Sequence, residues 1–275
     1  ATFLGGGEQR QAFAKARAAA DEALQADPDM AAAHVARGSL LEWMDFDWVG
    51  AEADYQRALE LDPSDGAATL GLSTLSGRLG HPQQAIGLIR RSIATDPRDA
   101  GSCYWLGWNL AAAGQLEEAE QAMRRAIALV PDSEFSLAGL AIIQIQRGEA
   151  KAALATAQQG SPGSWREFAL ALALQVGDDR RARDAALTTL IANQVDGMPY
   201  QIAEVYGLRK DADNLFKWLD RAWAARDPGI GRLLTDPFIL PYKDDPRFAA
   251  FCKKIGLPMP DVNASPAPAV VAPAP

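Results

Sequence analysis

A beat of 34 residues runs through most of this chain. Gly80, Gly114 and Gly148 stand 34 apart, and Pro28, Pro63, Pro97 and Pro131 follow one another at 35, 34 and 34. A third series, Ala16, Ala51, Ala85, Ala119, Ala153 and Ala182, keeps the same register until its last step. Ala23, Ala58, Ser92, Ala126 and Gly160 come seven residues after the first five of these alanines, and all are small. Seven residues make two helical turns, so each pair shares one helix face, where small side chains let a neighbouring backbone approach. Proline lacks an amide donor and stops a helix, while glycine lets the chain end one helix and reverse. The repeating unit is therefore helix, tight turn, helix. One such hairpin cannot bury both its faces, so successive units must stack on each other around a continuous core.

Individual stretches agree with this reading. In "YWLGWNLAAAG" Leu106 and Leu110 share a face with small Gly107 beside them. In "AEQAMRRAIALVP" Ala119, Ala122, Met123 and Ala126 form a stripe, and Arg124 and Arg125 fall opposite. The pattern resembles the tetratricopeptide repeat over about residues 8–228. The resemblance implies an all-α, right-handed superhelical α-solenoid of about six helix-turn-helix units. A half-unit is expected at 8–28, then units near 31–63, 66–97, 100–131, 134–160, 163–193 and 196–228. Asp47 is expected to cap a helix starting at Trp48, and Asp245 before Pro246 a short capping helix from Pro246 to Ile255. Residues 1–7 read as a flexible lead-in, 8–258 as a single solenoid with its cap, and 259–275 as a Pro/Ala-rich tail of low complexity.

The ending, with "DFDWVGAEADYQRALELDP", is similar to the carboxyl-terminal repeat arrays attached to bacterial nucleotide cyclases and to winged-helix or TolB-like regulators. That resemblance implies an accessory module, a sensor or dimerisation arm, excised from a longer chain. It favours the cytoplasm, or the periplasm if a transmembrane regulator lies upstream.

Composition narrows the functional classes. A net charge of −8 argues against nucleic acid or an anionic membrane surface, which call for a basic patch. No run of about 18 apolar residues is available for a transmembrane helix. Cys103 and Cys252 are the only cysteines and His34 and His81 the only histidines, too few and too scattered for a metal site or a nucleophile with its base. No cofactor and no catalytic residue is assigned, and the expectation is a non-enzymatic protein-interaction module.

The resemblance also implies where a partner docks, because the first helix of each unit lines the concave groove of such arrays. The expected partner-binding residues are Trp43, Leu70, Arg78, Tyr104, Trp108, Phe135, Ile142, Gln146 and Tyr200, with Val35, Ser39, Thr74, Glu167 and Glu204 in the same register. Tyr104 and Trp108 are adjacent on one helix face, which suits an apolar peptide or helix. Core packing between units is the competing reading for Trp108 and Phe135. The tail, from this chain or from a neighbour in a homodimer, is a further candidate occupant: about 17 residues of polyproline II span roughly 50 Å.

Overall fold

The computed structural model describes residues 6–258, so the expected tail at 259–275 and the first five residues lie outside the described part. Among the described residues there are fourteen α-helices and no strand. After α1 (Gly6–Ala26) come six helical hairpins: α2/α3 (Ala31–Leu40, Trp48–Leu61), α4/α5 (Gly66–Arg78, Pro82–Thr95) and α6/α7 (Ala100–Ala112, Leu116–Leu129), then α8/α9 (Glu134–Gln146, Ala150–Gln159), α10/α11 (Ser164–Gln175, Arg180–Gln194) and α12/α13 (Pro199–Leu208, Ala212–Ala225). A short α14 (Pro246–Lys254) follows. The helices stack as a solenoid, each hairpin packing on the next, and the first helices form one continuous row.

Local chemistry explains the beat. Two residues after each of three repeat prolines stands an N-cap: Asp65, Asp99 and Ser133 accept amide hydrogens from the first turns of α4, α6 and α8. Gly80, Gly114 and Gly148 take φ of 84°, 77° and 77°, the left-handed turn that lets the first helix reverse at little steric cost. Lys210 occupies the same turn in the last hairpin at φ 62°.

The alanine series marks the helix crossings. Ala51, Ala58, Ala85, Ala119, Ala126 and Ala153 are fully buried, and a Cβ added to Gly107 would lie 3.2 Å from the Ala119 carbonyl oxygen. Ala16 is exposed because α1 has no first helix of its own among the described residues to receive it. On the outer side, Arg57 reaches Asp29 and Arg125 reaches the Pro97 carbonyl, each tying a second helix to the turn 28 residues earlier. Arg90 pairs with Glu118 on the same solvated face, where such contacts contribute little.

Two places depart from the beat. In the first full unit, α2 runs into a π-helical turn at Leu41–Asp45, Phe46 turns left-handed at φ 56°, and Asp47 caps α3 through the Gly50 amide. After α13, a 3₁₀ turn at Pro228–Arg232 and another at Leu240–Tyr242 lead to α14, capped by Asp245. These two departures meet each other in space.

Candidate functional site

The first helices α2, α4, α6, α8, α10 and α12 lie side by side and expose one long face. Residues 228–242 return to it, while α14 lies against α13 through Arg247 with Asp213 and Lys254 with Asp220. The turn Pro228–Arg232 touches α4, α12 and the π-helical turn, so it bridges opposite ends of the row.

Arg232 is the centre of this closure. Its guanidinium carbon lies 4.1 Å from the centroid of Trp108 and 5.8 Å from that of Tyr200. Its Nη2 donates to Glu204 Oε1 at 2.5 Å and to Asp236 Oδ2 at 3.1 Å. The Tyr200 hydroxyl donates to the same Asp236 oxygen at 3.0 Å, and the other Asp236 oxygen accepts the Phe238 and Ile239 amides.

A second arginine sits beside it in a similar frame. Arg78 stacks 3.8 Å from the Trp43 centroid, donates from Nε to Glu42 Oε1 at 2.7 Å, and donates from Nη1 to the Pro228 carbonyl at 3.2 Å. Glu42, on the π-helical turn, also accepts the Tyr55 hydroxyl at 2.7 Å and the Thr74 hydroxyl at 3.2 Å. Between the two arginines, beside Trp105 and Trp108, lies a cavity of about 20 Å³, room for about one water. Arg78 Nη2 and Trp108 Nε1 are buried there without a protein partner.

Glycines permit the approach. A Cβ on Gly231 would run into the Arg78 guanidinium, and one on Gly229 would lie 2.6 Å from the Tyr200 ring. Further on, the Tyr242 hydroxyl donates to the Gly207 carbonyl at 2.9 Å, and the Trp48 indole donates to the Ile255 carbonyl at 3.0 Å, 207 residues away. Phe46 packs against Trp223 with centroids 5.6 Å apart. The first unit and the last are thereby joined.

A family profile described as tetratricopeptide repeat matches residues 8–66 and 70–134. The match covers under half of the chain. The chain is 36% identical over 83 residues to cellulose synthase operon protein C of Komagataeibacter xylinus, covering 26% of this chain and 6% of that protein. Among solved structures, the APC/C hetero-tetramer Cut9–Hcn1 aligns over 88% of this chain and 46% of its own, with TM-score 0.61 and 16% identity. Pseudomonas aeruginosa PilF aligns over 70% and 90%, with TM-score 0.50 and 18% identity. The chain thus spans under half the length of the first two, and these likenesses extend the tetratricopeptide-like solenoid fold beyond residue 134. The tetratricopeptide-like fold is consistent with a protein-interaction scaffold.

The closure alters the sequence-based picture of the repeat groove. Of the residues expected to line it, Arg78, Trp108, Ile142, Gln146 and Tyr200 are buried, and Trp43, Leu70, Tyr104 and Phe135 are half-buried. Arg78, Trp108 and Tyr200 are covered by residues 228–236, as the contacts above show, and not by an open groove facing water. Ile142 is 1% exposed and belongs to the core between units, whereas Phe135 stacks on Trp165 at 4.7 Å. The tail named as a candidate occupant is outside the described residues; the segment before it takes that place.

Arg232 and Asp236 were missed by the periodic reading because they lie beyond residue 228, where the last expected unit ends, and Glu42 because the longer turn disguises its register. The available signal was "PGIGR", two glycines flanking an apolar residue before an arginine, inside a chain whose other turn glycines stand alone.

Burial shapes the electrostatics. It raises the pKa of Glu204 well above the carboxylate range, and nearby Asp236 adds to the shift against the pull of Arg232. It raises Glu42 as well, opposed by Arg78, Tyr55 and Thr74, and it lowers Arg78. For Arg232 burial opposes the charge, but Glu204 and Asp236 outweigh it and hold the pKa above its ordinary value. Asp227, which accepts the Tyr200 and Gly229 amides, is pushed up to about 6 by burial.

His34 is bound by Asp54 Oδ1 and the Pro28 carbonyl, each at 2.9 Å, and ties α2 to α3 and to the preceding turn. Among the described residues no group of three or more His, Cys, Asp or Glu could hold a metal, and no helix is long and apolar enough to cross a membrane.

Proposed function

We propose that the chain is a non-catalytic interaction module whose concave face takes an extended protein segment, and that residues 228–239 occupy this place until a partner displaces them. The observation that carries the reading is the seating of Arg232 on Trp108 between two carboxylates, in the manner of a bound peptide side chain. Trp43, Leu70, Tyr104 and Phe135, still half-buried, would border the incoming segment. The net charge of −8 favours a partner with basic character over nucleic acid.

A second reading, an arm of a larger bacterial regulator, is favoured by the closure itself. Releasing residues 228–257 would leave the first unit meeting the last through Phe46 and Trp223 without the Trp48–Ile255 bond, and an attached effector domain would register that change. Homodimerisation belongs to this second reading.

Hydrogen exchange on the free chain tests the first. The amides of Ile230, Leu233, Phe238 and Ile239 are all hydrogen-bonded within residues 227–239. They are expected to exchange through a local opening well below the global unfolding free energy, while α6 to α8 exchange only globally. Exchange of both regions through global unfolding alone would make residues 228–239 a permanent part of the core and sink the proposal.

A further inference from the structure

The closure segment is shaped by its groove at particular positions, and those positions define what else could lie there. Arg232 is held with its guanidinium carbon 4.1 Å over the Trp108 ring while Nη2 donates to Glu204 and Asp236, so one extended head group spans an aromatic face and two carboxylates at once. One residue before it, any Cβ meets Arg78; three residues before it, any Cβ meets Tyr200. Ile230 and Leu233 are fully buried on either side. Glu204, at the floor of the site, is a fully buried carboxylate, and among the described residues the cation it pairs with is Arg232. If the segment leaves, that carboxylate and the aromatic walls lose their partner together.

We infer that the concave face carries an arginine-recognition pocket formed by Trp108, Tyr200 and Glu204, and that it accepts a partner protein's segment of the form small residue, apolar residue, small residue, arginine. The inference rests on the interaction-module reading and adds to it the chemistry of the partner. Charge complementarity decides for arginine, since the pocket offers a carboxylate among aromatic rings. The Arg78 guanidinium beside it rejects bulk at the preceding position. The fully buried neighbours Ile230 and Leu233 show that apolar residues belong next to the small residue and next to the arginine.

The test uses the full chain carrying Gly231→Val, which keeps every pocket residue but places a branched side chain against Arg78. Hydrogen exchange should show residues 228–239 released, with helicity retained. A labelled peptide with the sequence of residues 227–239 should then bind roughly tenfold or more tightly than the same peptide with lysine for arginine, or with valine at the second small position. Unchanged protection of residues 228–239 in Gly231→Val would overturn the steric half of the proposal. Equal binding of the arginine and lysine peptides would overturn the pocket while leaving the interaction groove standing. Dimerisation by exchange of the segment between copies, with no uptake of added peptide, would overturn a partner-supplied occupant.

Should Gly231→Val fail to fold, the chain carrying Arg232→Ala gives an independent reading. Low-millimolar methylguanidinium should raise its melting temperature by more than methylammonium does, and equal effects of the two cations would refute the pocket.

Discussion

Along α4 to α7 successive helices meet through small side chains, whereas the π-helical turn and residues 228–236 meet the first helices through buried charges. In the first region Ala85, Ala119 and Ala126 are fully buried at crossings that recur every 34 residues, and each contact involves a neighbour in sequence. In the second, Glu42, Glu204 and Asp236 are almost wholly buried, and the arginines paired with them reach far along the chain, Arg78 to the Pro228 carbonyl and Arg232 to Trp108. Stacked repeats add stability unit by unit. The closure depends on groups that are expensive to bury alone, so it discriminates sharply between one arrangement and its near alternatives. An array of this kind can therefore be tolerant along its length and exacting across its concave face.

The largest expected effect lies in the closure. Arg78→Ala leaves Glu42 buried without its cation and should cost about 3–5 kcal/mol in denaturant unfolding. It should also speed exchange at residues 228–239, since the Pro228 carbonyl loses its donor. A loss below about 1 kcal/mol would erase the distinction between the two regions.

Ala119→Leu probes the repeat side. Overpacking a crossing where Ala119 is fully buried should cost about 1–3 kcal/mol while leaving exchange of residues 228–239 unchanged relative to global unfolding. Coupled loosening of the closure would mean that the two regions are not separable.

The pH dependence sharpens the contrast further. Asp227 has its pKa raised from 3.8 to about 6, so the folded state holds a proton that the unfolded state has released. Stability from this group is therefore full below pH 3.8 and is lost as pH rises through about 6. Protection of residues 228–239 is expected to weaken between about pH 4 and pH 7, with α6 to α8 little affected. Increasing protection over that range would contradict the assignment.

The smallest effects lie at the turns. Gly114→Leu forces a side chain into φ 77° and should cost about 1–2 kcal/mol through backbone strain. Lys210→Gly, at φ 62°, should gain up to about 1 kcal/mol. Melting temperatures moving in opposite directions would confirm that both positions perform the same turn.

The contrast also explains what could be read from the sequence. Helix bounds, caps and crossings follow from local rules, so Asp47, Asp245 and the glycine turns fell where proline, glycine and small-residue spacing placed them. The face of each first helix was legible by register, which brought Arg78, Trp108 and Tyr200 together as one surface. What covers that surface was not legible, because Arg232 meets Trp108 across 124 residues and no periodicity links them. A groove position in a repeat array reads the same whether solvent, a partner or the chain's own end lies upon it.

The most direct test of the account is a cross-link between the first turn glycine and the returning segment. A Cβ on Gly80 would lie 3.6 Å from the Leu234 Cβ, within the spacing of a disulfide, although the residues are 154 apart in sequence. The native thiols Cys103 and Cys252 are buried and need not interfere. In the chain carrying Gly80→Cys and Leu234→Cys, mild oxidation should give a fast-migrating monomer on a non-reducing gel, lost when oxidation is carried out in denaturant. If both new thiols react freely with maleimide under native conditions and no intramolecular bridge forms, residues 228–239 do not lie across the face of the first helices.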